Sequence, residues 1–318
     1  MIRIGLVGIG YLGSIHLELL LGLEQFELIG IFDRNPKKRE ACKAKYPHLL
    51  FFDTYAHLLS EVQAVGIIAS TPAHFELALE AISAQKAVFI EKPLCQTLEE
   101  SQALIAAQAN LGLPFQVGHV ERFNPAFIAF ESLTEDQSII QFNSTRCAPF
   151  QERGADVSVV LDLLIHDLDL LLSQTSSPLA AMEVEAQQVH TAHPDEVRAK
   201  LRFEDGLIAD LFVSRLTDQR FRQLSIKTKR RFFELDLLNK SLKSTSINSN
   251  IGQFHTVPDS NALQQQWQDF AAAVLQKEPP KVDLIAGFKA LDLALRIDSE
   301  ARAFLSQKKI ETHNKKLH

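Results

Sequence analysis

Three groups of residues have the types and spacings that chemistry needs. The first is Gly8-x-Gly10-x-x-Gly13, set between an apolar run (Ile2, Ile4, Leu6, Val7) and a helical pattern (Leu12, Ile15, Leu19, Leu20). In that setting Gly8 permits a tight turn, Gly10 lets the backbone approach a pyrophosphate, and Gly13 lets the helix close on the strand. The first amides of the helix, at Tyr11 and Leu12, and its dipole would meet the negative charge. A second strand, Phe26 to Phe32, ends at Asp33, about 20 residues past the last glycine, where an acid receives ribose hydroxyls. Arg34 beside it could instead accept a 2′-phosphate, so the acid favours NAD while NADP stays possible. The bland alternative, a glycine-rich turn with no nucleotide, has strand, helix and acid all against it.

The second group lies at later strand ends, which face the ligand crevice of such a sheet. Ser70, Thr71 and His74 follow the strand Val62 to Ala69 and are candidate neighbours of the nicotinamide half of the cofactor; taken alone, His74 reads as a surface histidine at a helix start. Glu91-Lys92-Pro93 follows the strand Ala87 to Ile90, so Glu91 and Lys92 join the cofactor candidates. A lysine there is usually a loop residue, but in a crevice it can be held over a reacting hydroxyl. The third group sits in a segment apolar nearly all round, Val157 to Leu172, in which Asp162, His166 and Asp169 fall at i, i+4 and i+7. A carboxylate one turn from an imidazole orients it and raises its basicity toward that of a general base. A buried Asp–His pair that merely specifies packing is the rival reading; a metal site lacks a supporting His or Cys cluster.

The elements that must position these groups can be read from periodicity. Strands alternate with helices up to Phe115-Gln116-Val117-Gly118, which predicts a doubly wound parallel sheet over residues 1–119. From His119 the rhythm changes. Successive β-patterned runs (184–189, 197–203, 207–213, 224–228, 232–237) with a turn signal at Glu204-Asp205-Gly206 predict an α/β domain over 120–318, built on a large, mostly antiparallel open sheet. One helix is expected between Asp156 and Gln174, and two more near 261–276 and 284–306.

Composition bounds the rest. The chain has 318 residues, 46% hydrophobic and 23% charged, with a net charge of −6, which gives no support to nucleic-acid binding. The basic cluster Arg220, Arg222, Lys227, Lys229, Arg230 and Arg231 reads as a solvated sheet face. Cys42, Cys95 and Cys147 lie far apart, with no disulfide framework or zinc spacing. Together with the absence of a long apolar run, this predicts a cytoplasmic protein without membrane association.

The ordered set Gly8-x-Gly10-x-x-Gly13, Glu91-Lys92-Pro93 and Asp162-x-x-x-His166 resembles the glucose–fructose oxidoreductase / inositol dehydrogenase / rhizopine catabolism protein (Gfo/Idh/MocA) family over essentially the whole chain. The resemblance implies a Rossmann domain, a second α/β domain whose open sheet makes a homodimer or homotetramer interface, and an NAD(P)-dependent dehydrogenase acting on CH–OH groups. Carried over residue by residue, Lys92 matches the lysine at the nicotinamide ribose and reacting oxygen, His166 the proton-transfer histidine, and Asp162 its neighbour. Either Lys92 or His166 can be the base. The segments His119 to Pro125, Pro149 to Arg153 and Asp156 to Asp167 are further similar to a branch that oxidises the 3-hydroxyl of UDP-N-acetylglucosamine, although Ala148 stands where that branch usually has glycine. On that reading Arg122, Asn124, Arg153 and His166 are the substrate-contact candidates, the arginines suiting a diphosphate. The alternatives are another sugar or an inositol-like polyol as substrate, or a non-catalytic dinucleotide-binding sensor.

Overall fold

Strand β1 (Ile2–Val7) is buried at every position but Arg3, as a strand covered on both faces must be. In the computed structural model, which describes residues 1–134, 138–152, 154–249 and 251–316 (311–316 by backbone alone), β1 lies inside a five-stranded sheet. The other strands are β2 (Phe26–Phe32), β3 (Ala64–Ile67), β4 (Ala87–Glu91) and β5 (Phe115–Gly118), in the order β2-β1-β3-β4-β5. All four pairings are parallel. The order reverses between β1 and β3, so the crevice of this sheet opens at their carboxyl ends. Helices α1 (Tyr11–Leu21), α2 (Pro36–Lys45), α3 (Tyr55–Glu61), α4 (His74–Ser83) and α5 (Leu98–Gln108) connect the strands. Asn35 caps α2 by accepting from the amides of Lys37 and Lys38, with Pro36 at the first position. Leu50 to Phe52, which reads as a short strand, makes a single bridge from Phe51 to Ile31 because the chain turns at once into the Thr54 cap of α3.

The chain forms two compact units. The first is Met1–Val120 together with Asn261–Phe288, a return that a single division at 119/120 does not contain. Its cause is Trp267 on α8 (Ala262–Gln276). The indole is fully buried against Phe26, Phe89 and Phe270, its ring centroid 4.1 Å from that of Phe89. It fits because β3 has Gly66 there: a Cβ at Gly66 would meet the indole edge at 2.8 Å.

The second unit is Glu121–Ser260 with Lys289–His318. It contains α6 (Pro125–Ser132), β6 (Ile139–Cys147), a π-helical turn (Val160–Leu164) and α7 (Ile165–Leu172), followed by seven strands. These are β7 (Leu179–Gln187), β8 (Glu196–Phe203), β9 (Ile208–Ser214), β10 (Phe221–Thr228), β11 (Arg231–Asp236), β12 (Ser241–Ser246) and β13 (Gly252–His255). They form one eight-stranded sheet, β13-β12-β11-β10-β6-β9-β8-β7, in which only β6–β9 is parallel. Strand alternation is plain in β8, where Val197, Ala199, Leu201 and Phe203 are buried and the residues between them are not. The buried face packs on α6 and α7, with Phe130 set edge-on against Phe233 at 5.2 Å. The helix expected from Asp156 to Gln174 therefore starts late and contains a widened turn. The last helix, α9 (Leu284–Lys316), starts as expected at Leu284 and runs past 306.

Candidate active site

In the first unit the glycine turn has the geometry that its sequence implies. Gly8 has φ +89°, and a Cβ there would meet the Ile68 carbonyl oxygen at 2.6 Å; a Cβ on Gly13 would collide with the Gly8 carbonyl. A Cβ on Gly10 would meet no protein atom within 4 Å, so the space above it is open to a ligand. Asp33, 9% exposed, accepts the Ile9 amide at 2.9 Å and the Asn35 amide at 2.8 Å. Its carboxylate keeps lone pairs for ribose hydroxyls, and it ties the acid to the glycine turn. Tyr11 is exposed and Leu12 half-buried at the start of α1. These residues fit a dinucleotide. Arg34 is drawn to Glu76, Nη2 to Oε2 at 2.9 Å, both side chains being largely exposed.

Ser70 is exposed and Thr71 half-buried, in a 3₁₀ turn that leaves β3. His74, which taken alone reads as a surface residue, is 1% exposed. Its Nδ1 lies 2.9 Å from the Pro93 carbonyl and its Nε2 3.1 Å from the Ala69 carbonyl, so it joins the end of β3 to the turn after β4. Burial lowers its pKa, although both carbonyls and Glu91 favour the charged ring. Lys92 is half-buried on that turn, and the Lys92–Pro93 peptide is cis. Glu91 points inward; its Oε2 accepts the Lys92 amide at 3.2 Å.

In the second unit Asp162 and His166 are both half-buried. Asp162 belongs to the π-helical turn and His166 to the first turn of α7; such widened turns concentrate at functional sites. Gly154, with φ +82°, lies against Asp162, since a Cβ there would stand 3.1 Å from Oδ2. Arg215 holds this loop by donating to the carbonyls of Gly154 and Val157 at 2.9 and 2.7 Å. Asp169, expected in the same polar stripe, is 2% exposed, and its Oδ1 is 3.5 Å from Arg122 Nη1. Asn124 caps α6: its Oδ1 accepts the Ala126 amide, and its Nδ2 donates to Glu121 and to the Leu237 carbonyl. Its polar atoms are thus engaged inside the unit. Arg153 lies outside the described residues.

A buried ionic lattice stands beside His166. Arg146 on β6 donates to Asp167 from Nε and Nη2 and to Glu121 from Nη1, at 2.7 to 3.1 Å. Arg222 reaches Glu121 at 3.2 Å, so one member of the basic cluster turns from solvent to a buried acid. Burial pushes the Glu121 carboxyl up, but the two guanidiniums outweigh it and hold it below the usual carboxylate range. Burial pushes Asp167 up in spite of the Arg146 fork. Neither Arg146 nor Arg215 has a motif that marks it in the sequence. His16 and Trp267 likewise carry no motif; the one sequence signal for His16 is its place three residues after Gly13 and one turn before the buried Leu20.

Comparison with known proteins gives this arrangement its context. The model of the oxidoreductase family with an NAD-binding Rossmann fold, Gfo/Idh/MocA, matches residues 2–119. A UDP-N-acetylglucosamine 3-dehydrogenase of Acidithiobacillus ferrooxidans is 30% identical over 315 residues, 96% of this chain and 99% of that one. This chain belongs to the Gfo/Idh/MocA family. A crystal structure of the Acidithiobacillus enzyme superposes with a TM-score of 0.90 at the same coverage. An inositol 2-dehydrogenase of Salmonella paratyphi B is 27% identical over 54% of this chain and 53% of its own length. An oxidoreductase of Agrobacterium radiobacter, solved with NAD+, L-tartaric acid and magnesium, shares the fold alone, at 14% identity and a TM-score of 0.85 over 95% of this chain and 96% of that one. The chain is therefore a dehydrogenase of the sugar and polyol kind, built on an NAD-binding Rossmann fold. Among the described residues no helix is long and apolar enough to cross a membrane.

Proposed function

We propose that this enzyme oxidises the 3-hydroxyl of UDP-N-acetylglucosamine with NAD. The observation that carries this reading is the similarity to the Acidithiobacillus enzyme, which extends through both compact units rather than the Rossmann domain alone. When bound, NAD supplies the acceptor for the hydride that leaves the sugar carbon. The chain's own residues do the rest. Gly8, Gly10 and Gly13 with the amides of Tyr11 and Leu12 hold the pyrophosphate, and Asp33 receives the adenosine ribose hydroxyls. Ser70, Thr71, His74 and Glu91 support the nicotinamide end. Lys92 contacts the reacting oxygen, and the hydroxyl proton passes to His166 or Lys92 as the C–H electron pair departs. Asp162 steadies the imidazolium, Arg122 and Arg153 receive the diphosphate, and Asn124 sets the backbone next to Arg122.

NAD is preferred to NADP because Glu76 both occupies the Arg34 guanidinium and adds negative charge beside it. The exposed face of the eight-stranded sheet, with Ile208, Phe221 and Phe254 at its surface, is the proposed contact between copies of the chain.

The test is absorbance at 340 nm with NAD, UDP-N-acetylglucosamine and a carbonyl trap. A substrate-dependent rise is expected. His166→Ala and Lys92→Ala should each lower kcat by about 10²- to 10⁴-fold, with NAD affinity little changed. No rise with NAD or NADP, in protein that binds cofactor, rejects this sugar nucleotide. The inositol dehydrogenases among the relatives then make myo-inositol the next substrate to try.

A further inference from the structure

The histidine on α1 has no part in the chemistry above, yet it is fully buried between polar groups. The His16 Nδ1 accepts from the Trp267 indole Nε1–H at 2.9 Å. Indole nitrogen only donates, so Nδ1 carries no hydrogen and the ring's hydrogen is on Nε2. That atom lies 3.2 Å from Glu91 Oε1, close but off the line of a well-aligned hydrogen bond, and it has no other partner. The other oxygen of Glu91 accepts the Lys92 amide. Gly118, paired with Glu91 across β4 and β5, leaves room for this carboxylate: a Cβ there would stand 2.7 Å from Oε1.

We propose that His16, its tautomer fixed by Trp267, is a positioning residue that orients the Glu91 carboxylate and through it the backbone presenting Lys92. The four groups form one connected series that converges on the carboxylate: the indole N–H donates to the imidazole, the imidazole N–H lies 3.2 Å from one carboxylate oxygen, and the Lys92 N–H donates to the other. Each group limits the rotation of the next, and the last is the peptide from which the lysine side chain departs. His74 holds the neighbouring Pro93 carbonyl independently, so the turn is fixed from two sides. Core packing that also satisfies the buried indole N–H would require only an acceptor of similar volume at position 16. It would need neither a ring N–H within 3.2 Å of a carboxylate nor a glycine opposite that carboxylate. The proposal rests on the reading of Lys92 as a group at the reacting oxygen.

The test compares His16→Gln, whose amide N–H can reach Glu91, with His16→Leu, which fills the space but donates nothing. Amide hydrogen exchange at Lys92 needs no substrate. It should accelerate by about tenfold or more in His16→Leu and stay near the wild-type rate in His16→Gln, with β1 and β2 unchanged in both. Trp267→Phe should give an intermediate rate, because it keeps most of the packing and removes only the N–H. With NAD and UDP-N-acetylglucosamine, kcat should follow the same order while NAD affinity does not. Wild-type exchange at Lys92 in His16→Leu, or acceleration spread evenly through the unit, overturns the proposal. So does full kcat in His16→Leu when Lys92→Ala is inactive. An active Lys92→Ala removes the catalytic reading of Lys92 instead, and the exchange data still decide whether His16 fixes the turn.

Discussion

Glu91 in the first unit and Glu121 in the second are both buried carboxylates, 6% and 4% exposed, and they are held by opposite means. Glu91 faces a histidine nitrogen and a backbone amide. Glu121 faces two guanidiniums and an asparagine amide. The first carboxylate, one residue from Lys92, meets no guanidinium in these contacts, only an imidazole nitrogen at 3.2 Å and a backbone amide. Guanidinium forks cancel the charge and bolt α7, with His166 on its first turn, to β6. The first arrangement is graded, because each member can be weakened separately. The second is all-or-none among its buried members Arg146, Glu121 and Asp167, which are expensive to bury and tolerable only together.

The sharpest way to break this contrast is Arg146→Ala, which strands Glu121 and Asp167 without their shared partner. Removing one side of a buried pair costs about 3–5 kcal/mol, so the urea midpoint should fall steeply. A loss under about 1 kcal/mol would mean the lattice is no anchor. The next effect separates the units by pH. Burial lowers the pKa of His74 in the folded state, so below about pH 6.5 the unfolded chain takes up the proton more readily. The contribution of His74 is therefore present above that pH and is lost as the pH falls through and below it, at a slope of at most about 1.4 kcal/mol per pH unit. Thermal melts from pH 7.5 to 5.5 should show this slope in the wild type and a flatter one in His74→Gln; equal slopes would remove His74 from the account. Arg222→Gln should have the smallest effect. Its side chain is 42% exposed, so the change should be under about 1 kcal/mol, and a loss as large as that of Arg146→Ala would erase the distinction between the buried fork and its half-exposed companion.

Much of the first unit was legible because local rules and tertiary structure agree there. The apolar run of β1, the glycine turn and Asp33 each follow from neighbours within a few residues, and the parallel sheet follows from the βα rhythm. The second sheet was legible as alternation, but β12 and β13 were not foreseen. Their stretches, such as Ser241-Leu242-Lys243-Ser244, are too polar to stand out. The polar contacts escaped for a different reason. Whether Asn124 faces a substrate or caps a helix depends on Glu121 and on Leu237, more than a hundred residues away. His74 looked like a surface residue because the carbonyl that buries it is supplied by the turn at Pro93. Periodicity says which face of an element is wet, and it is silent on which distant group meets an isolated polar atom.

The return of Asn261–Phe288 to the first unit also sets a timetable. When residues 1–120 have left the ribosome, Trp267 is still about 150 residues from emerging, or roughly 7–30 s away at ordinary elongation rates. During that interval Phe26, Phe89 and the slot at Gly66 have no indole against them. The nascent Rossmann sheet thus lacks one apolar cover, and a fragment ended at residue 120 should keep that surface bare and bind the dye ANS where the full chain does not.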